Sequence, residues 1–299
     1  MPDVFTFDDL LSRDRLDAGE SKPARLAVIG QPVAHSASPR LHQPALDSSE
    51  IDARYIRIEL APGQIAEAFS RMRALGFIGC NVTVPHKFEA MATCDDVHPD
   101  AMALGAVNTV RFDPDRTRGF NTDGPGFVRA ISDAFDQPLS TLNIILLGAG
   151  GGAGQAIAAQ CALQGVPRLI LVNRSTEKLA PLVNRLAALG PSTEVLAIGF
   201  DDPELPSHCL LSDLVINTTS VGLKPGDPSV ISASCLRAGH LVYDTIYQPA
   251  VTPLLALAQS QNAKTANGIS LLLHQGVLAF QHWFPTTDPL QIMRKALES

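Results

Sequence analysis

A chain of 299 residues is long for one hydrophobic core and comfortable for two domains. With 45% hydrophobic and 18% charged residues it has the make-up of a globular protein, which excludes disordered and fibrous classes. The 30 acidic residues against 23 basic give a formal charge of -7 with no Lys/Arg block. That balance argues against a nucleic-acid or anionic-membrane surface, and any anionic ligand must be held by local donors.

The chain opens on an acidic leader with Asp3, Asp8, Asp9, Asp14, Asp17 and Glu20, the opposite of a signal peptide, and it reads as a short helix or arm. Residues 25–29 form a compact β-rich run ending at Gly30. Pro39 follows Ser38 as an N1 proline follows an N-cap, and Leu41, Ala45 and Leu46 supply the apolar face of a helix. Residues 55–60 alternate like a half-exposed strand, and residues 64–75 have helical spacing before Gly76. Strand and helix continue to alternate through 78–84, a helix after Pro85, and 106–110, so this half is α/β.

From Leu142 the pattern sharpens. Residues 143–147 read as an apolar strand, followed by glycines and a helix over 152–164 with Gly165 as its cap. Residues 169–172 form the next buried strand, 176–189 its helix, and 214–216 and 241–243 two further strands, which together predict a doubly wound parallel sheet. Thr252-Pro253 opens another helix. A long apolar helix follows Gly268 as far as Pro285, and Asp288-Pro289 starts a short final one. The last two helices lack a strand to flank and are expected to pack on the first domain, with 124–267 inserted between 1–123 and 268–299.

The cysteines Cys80, Cys94, Cys161, Cys209 and Cys235 are odd in number and show no CxxC or CxxH spacing, so they read as buried thiols of a reducing compartment rather than disulfides or zinc ligands. The charge-free stretches 137–167 and 265–287 are interrupted by glycines, glutamines and histidines, and neither reads as a membrane span.

Two runs carry the chemistry of the first half. Gly79-Cys80-Asn81-Val82-Thr83-Val84-Pro85-His86-Lys87 stops a strand and turns it into a lysine, which places an amine at a strand end, where open α/β sheets put their ligands. Asn121-Thr122-Asp123 ends a later strand with a carboxylate suited to orient that amine. His35-Ser36-Ala37-Ser38-Pro39 places hydroxyls at alternate positions. Both can donate to one carboxylate, although spacing alone favours Ser38 as a helix cap.

In the second half Gly148-Ala149-Gly150-Gly151-Gly152-Ala153-Gly154 lies between a predicted strand and a predicted helix, and Gly148, Gly150 and Ala153 fit the G-x-G-x-x-G/A dinucleotide fingerprint. The next strand ends at Asn173-Arg174-Ser175 with Lys178 one turn on, where an NAD site more often has an acidic residue. Cations there suit a 2′-phosphate and favour NADP over a merely solvated helix start.

These runs, together with Gly30-Gln31-Pro32, Gly105-Ala106-Val107-Asn108-Thr109, Asn217-Thr218-Thr219-Ser220-Val221-Gly222 and Asn267-Gly268 through Gln275, occur in the order seen in the shikimate dehydrogenase family, which the chain resembles from about Arg25 onward. The resemblance implies a cytoplasmic, NADPH-dependent reduction of 3-dehydroshikimate to shikimate in aromatic amino-acid biosynthesis. It further implies a substrate domain from both chain ends (1–123 and 268–299) and an inserted Rossmann NADP domain (124–267). Lys87 and Asp123 resemble the catalytic pair, and Ser36 and Ser38 the ligands of the substrate carboxylate. Thr83, Asn108 and Gln275 resemble the hydroxyl-binding residues, with Tyr247 at the carboxylate end and Asn81 shaping the pocket. The cofactor set is Gly148, Gly150, Gly151, Gly152, Ala153, Asn173, Arg174, Ser175, Lys178, Thr218 and Gly268.

No metal is expected, and His35, His42, His86 and His274 read as structural. Trp283 and Met293 read as core. Gln43 and Ser175 depart from the family's commoner Asn and Thr but keep hydrogen-bonding ability, and the leader is longer than expected of the family. A monomer or homodimer is expected, with a small-molecule substrate and neither nucleic acid nor membrane as partner. Two alternatives remain: a quinate or dual quinate/shikimate dehydrogenase using NAD, and a non-catalytic NADP-binding sensor.

Overall fold

The computed structural model describes residues 4–298. The chain divides into two compact units, one holding the described residues up to Thr122 together with those from Leu273 on, the other Asp123–Leu272. The second boundary falls inside the helix Ile269–Trp283.

The first unit is built on a seven-stranded sheet of β1 (Phe5–Thr6), β2 (Ala24–Gly30), β3 (Arg54–Glu59), β4 (Gly79–Val82), β5 (Asp96–Val97), β6 (Thr109–Phe112) and β7 (Thr117–Phe120), in the order β1-β3-β2-β4-β6-β7-β5. β1, β3, β2 and β4 run parallel, whereas β6 is antiparallel to both β4 and β7. Strand alternation sends Ala27, Ile29, Ile56 and Ile58 into one core with Phe69 of the helix Ile65–Ala74. Leu26, Val28 and Tyr55 enter a second core with Leu41, Phe280, Trp283 and Met293. The two C-terminal helical segments therefore cover the opposite face from Ile65–Ala74, and Trp283 and Met293 are core residues as expected. The Trp283 indole donates to the Val110 carbonyl at 2.9 Å.

The acidic leader, of which Asp3 lies outside the described residues, holds the expected short helix at Arg13–Asp17 after a 3₁₀ turn, Phe7–Leu11, and is more ordered than an arm. Phe5, Leu10 and Leu16 are buried in the core, and β1 adds a strand to β3. Arg54 donates to the Leu16 carbonyl at 2.5 Å and pairs with Asp17 and Glu20 at 3.4 and 3.3 Å. The leader thus covers a sheet edge that would otherwise present unpaired backbone groups.

The second unit is a six-stranded, all-parallel sheet: β8 (Ile144–Leu147), β9 (Arg168–Asn173), β10 (Glu194–Gly199), β11 (Leu214–Asn217), β12 (Leu241–Asp244) and β13 (Lys264–Asn267), ordered β10-β9-β8-β11-β12-β13. Counted within the unit, that order is 3-2-1-4-5-6, the dinucleotide-binding arrangement whose crevice lies where strand order reverses, here between β8 and β11.

Several elements differ from the sequence reading. The strand expected over 106–110 begins only at Thr109, because the backbone of Val107 and Asn108 bonds to the carbonyls of Lys87 and Phe120. Residues 176–189 are a 3₁₀ turn, Thr176–Leu179, followed by the α-helix Ala180–Leu189; Pro181 in its first turn cannot extend an α-ladder backwards. The helix Ser38–Ser48 starts one residue early, with Ala37 and not Ser38 at its N-cap. Four cysteines are buried and Cys94 is partly so, all as free thiols.

Candidate functional site

In the first unit a chain of buried polar side chains runs along the carboxyl end of the sheet. The Ser36 hydroxyl lies 3.2 Å from that of Ser38 and accepts from the Ser38 backbone N–H at 3.3 Å. Ser38 is buried and is already the first helical residue, behind Ala37 at the N-cap, so its hydroxyl does not cap the helix. Tyr55 donates to Asn81 Oδ1 at 2.7 Å. The Asn81 amide donates in turn to Thr109 Oγ1 at 3.1 Å, and the Thr109 hydroxyl to Asn108 Oδ1 at 3.1 Å. Asn108 closes the chain on Thr122, accepting from its backbone N–H at 2.8 Å and donating to its hydroxyl at 3.0 Å. Burial without partners would cost about 1–3 kcal/mol for each such group, so the network fixes each amide in one orientation.

Beside it, β4 ends at Val82 and the chain turns through Thr83 and Pro85 to Lys87, the first residue of the helix Lys87–Thr93. The turn is pinned by the buried His86, whose Nε2 donates to the Leu60 carbonyl at 2.8 Å, and by the His86 N–H on the Thr83 carbonyl at 3.0 Å. Lys87 and Thr83 are half-buried, and the Thr83 side chain packs against Gly30, where a Cβ would collide with its methyl group. Gln275 lies half-buried in the helix Ile269–Trp283, also within the first unit. Asp123 opens the helix Asp123–Phe135 and counts with the second unit, as does Tyr247, whose hydroxyl pKa is raised by burial.

In the second unit the glycine run occupies the turn from β8 into the helix Gly152–Leu163. Gly148 has φ +87°, a conformation side chains rarely adopt. A Cβ on Gly150 would lie 2.7 Å from Asn173 Nδ2, and one on Gly154 would strike the Gly148 carbonyl oxygen and lie 2.9 Å from Ala149 Cα and Thr218 Oγ1. Gly151, Gly152 and Ala153 are exposed at the helix N-terminus, whose free N–H groups and dipole favour an anion. Asn173 donates to the Ser175 carbonyl at 3.1 Å, and Arg174 and Lys178 are exposed just beyond β9. A backbone cradle that excludes Cβ atoms, with cations after the second strand of the unit, fits a dinucleotide carrying a 2′-phosphate.

Two of the expected cofactor residues have structural duties as well. Thr218 donates its hydroxyl to the Leu147 carbonyl at 2.8 Å, tying β11 to β8 below the glycines. Gly268 is buried against the Thr245 backbone, and its missing side chain is explained by that approach alone. Deeper in the unit, Asp244 is fully buried and accepts from Asn217 Nδ2, the Ile246 N–H and the Thr252 hydroxyl at 3.1, 3.0 and 2.6 Å. Burial still holds its pKa above the ordinary carboxylate value.

Residues 28–110 match the family described as the shikimate dehydrogenase substrate binding domain. The chain is 38% identical over 275 residues to the shikimate dehydrogenase (NADP(+)) of Symbiobacterium thermophilum, covering 91% of this chain and 92% of that one. It is 40% identical to that of Desulfitobacterium hafniense, over 91% and 96%. The chain belongs to the shikimate dehydrogenase family. A crystal structure of a shikimate dehydrogenase in complex with NADP+ superposes with a TM-score of 0.84 at 33% identity, over 91% of this chain and 93% of that one.

Thr109 and Thr122 stand in motif runs whose spacing gave them no role, and Tyr55 and Arg57 lie outside every motif of the shikimate dehydrogenase family quoted above. Tyr55 and Arg57 lie two apart on β3, so they share one face of the sheet, and that period of two was visible in the run itself. Gln43, noted as a departure from the family, accepts from the Tyr55 backbone N–H at 2.9 Å, where the β2–β3 register shifts. Among the described residues no group of three or more His, Cys, Asp or Glu could hold a metal ion, and no helix is long and apolar enough to cross a membrane.

Proposed function

We propose that this chain is an NADP-dependent shikimate dehydrogenase, reversibly reducing 3-dehydroshikimate to shikimate. The observation that carries the reading is the buried serine, tyrosine and asparagine network at the carboxyl end of β2 and β4. A polyhydroxylated ring acid requires directed donors and acceptors of this kind, and a pocket lined only by apolar groups could not orient one. The family relatives named for shikimate and NADP(+) support the same choice over quinate and NAD.

In this reading the first unit binds substrate and the second binds NADP through its glycine turn, with Arg174 and Lys178 on the 2′-phosphate. Bound NADPH supplies the hydride. Ser36 and Ser38 hold the carboxylate, and Thr83, Asn108 and Gln275 hold the ring hydroxyls in the pocket shaped by Asn81; Tyr247 is the substrate-binding residue contributed by the second unit. Lys87 is the proton donor to the developing alkoxide, with Asp123 as the second acid–base group. The free cysteines suit a reducing cytoplasm.

The test is the reduced-nicotinamide absorbance of purified protein given shikimate or quinate with NADP+ or NAD+. A shikimate- and NADP-dependent rise is expected. A higher kcat/KM for quinate with NAD+ would overturn the substrate and cofactor together, and no turnover with any pair would leave the sensor reading.

A further inference from the structure

Strand β3 sends Ile56 and Ile58 into one core, and Tyr55 and Arg57 to the other face. Tyr55 donates to Asn81, whereas Arg57 reaches the serine turn: its guanidinium donates through Nε at 3.0 Å and Nη2 at 2.8 Å to a single acceptor, the Ser36 carbonyl. A fork of two donors on one oxygen fixes a peptide plane more firmly than a single bond, because the guanidinium is planar and its donors are pre-set. It leaves Nη1 and the second Nη2 hydrogen without a hydrogen bond among the described residues.

The peptide so fixed belongs to Ser36, whose hydroxyl lies 3.2 Å from that of Ser38. Two small hydroxyls on a turn are weak ligands for a carboxylate unless they are held together and the charge is met nearby. The whole chain carries a net charge of -7 and does not attract an anion by its overall field. Arg57 is half-buried, where a charge is screened less than on the open surface.

We propose that Arg57 is a positioning residue of the carboxylate subsite: it clamps the Ser36 carbonyl so that Ser36 and Ser38 present their hydroxyls together, and it places positive charge beside the bound carboxylate. The inference rests on the proposed function and adds a residue to it. Arg57 touches the turn and not the reacting carbon, so its removal acts on substrate affinity and spares the chemical step.

The experiment compares wild type, Arg57→Ala and Arg57→Lys with shikimate and with shikimate methyl ester, which lacks the charge. For Arg57→Ala, KM for shikimate rises about tenfold, the loss expected for one charge-assisted hydrogen bond, while kcat and the KM for NADP+ stay within about twofold. The wild-type preference for acid over ester shrinks by the same factor, and Arg57→Lys, which keeps the charge but not the fork, recovers part of it. Should Arg57→Ala fail to fold, Arg57→Gln keeps one donor for the carbonyl and carries the same acid-to-ester reading. An unchanged KM, or acid and ester falling together, overturns the proposal while leaving the enzyme a shikimate dehydrogenase. Wild type without shikimate turnover removes the function itself, whatever Arg57 does.

Discussion

Gly154 and Gly152 stand two residues apart in the same glycine run, and the structure sets opposite outcomes for adding one methyl group to each. At Gly154 a Cβ meets the Gly148 carbonyl oxygen and lies 2.9 Å from Ala149 Cα, both backbone atoms that no rotamer change can move. Overpacking of this kind costs about 1–3 kcal/mol, against a helix-propensity gain of at most about 1 kcal/mol. A net loss of about 1–2 kcal/mol lowers the melting temperature by roughly 2–8 °C for a unit of this size. The displaced turn is also the anion cradle, so NADP+ affinity falls with it. At Gly152 a Cβ meets nothing within 4 Å and φ is not positive, so alanine is neutral or stabilising by up to about 1 kcal/mol. Thermal unfolding of Gly154→Ala and Gly152→Ala side by side, with NADP+ titration of each, measures both. If Gly154→Ala melts with wild type while Gly152→Ala melts lower, close backbone packing is not what these glycines provide.

Lys87→Ala is expected to abolish most shikimate turnover, by about 100-fold or more for a lost acid–base group, while NADP+ titration stays unchanged; retained kcat would take Lys87 out of the mechanism. Arg174→Ala should weaken NADP+ binding about tenfold or more and leave NAD+ binding nearly as it was, read as the ratio of the two dissociation constants. Acid stability follows from His42, which is fully buried against Tyr55 at a ring separation of 4.6 Å. Burial pushes its pKa down from 6.5 to about 3, with only a weak opposing interaction from Asn81. Below pH 6.5 the unfolded chain binds a proton that the native state refuses, so stability falls with pH from there to about 3. The loss attributable to His42 between pH 7 and pH 5 is about 2 kcal/mol. His282, pushed down to about 4 chiefly by burial and then by His98 and Arg111, adds a loss of the same sign. Urea midpoints at the two pH values should converge in His42→Leu, and an unaltered pH difference would refute the assignment.

The parallel sheet of the second unit was legible because its central strands, such as Ile144–Leu147 and Leu214–Asn217, are short apolar runs set off by glycine and helix caps. Its edge strand Lys264–Asn267 was not, since Lys264 is exposed and the other three residues half-buried, so no hydrophobic alternation marks them. β7, Thr117-Arg118-Gly119-Phe120, is hidden for a related reason: Gly119 carries no side chain because Val107 and Cys94 pack where its Cβ would lie. The short helix of the leader was legible, but its anchoring was not, because acids dominate its composition while Phe5, Leu10 and Leu16 carry the full burial among its described residues. At the candidate site the motifs and their order could be read directly. The partners that orient them could not. Tyr55 reaches Asn81 and Arg57 reaches Ser36 across 26 and 21 residues of chain, and only the folded sheet brings those pairs together.

The direction of each hydrogen bond in the network limits what a bound ring can offer. Asn108 Oδ1 already accepts from the Thr109 hydroxyl and from the backbone N–H and hydroxyl of Thr122. Its amide donates one hydrogen to Thr122 Oγ1, which leaves one amide hydrogen for a ligand. A ring hydroxyl meeting Asn108 must therefore act as acceptor there and place its own proton on another group. The Thr83 hydroxyl, which has no hydrogen-bond partner among the described residues, can take that proton as an acceptor. In the proposed binding mode a ring lacking the hydroxyl would leave the buried Asn108 amide hydrogen unanswered, a kind of penalty that underlies strong discrimination in sites built to hydrogen-bond a substrate. A ring with one more hydroxyl elsewhere leaves Asn108 and Thr83 satisfied. If Asn108 and Thr83 hold a ring hydroxyl as proposed, selection by this network is strict against missing hydroxyls and weak against added ones, so rejection of a more hydroxylated ring acid has to come from residues that crowd the added group.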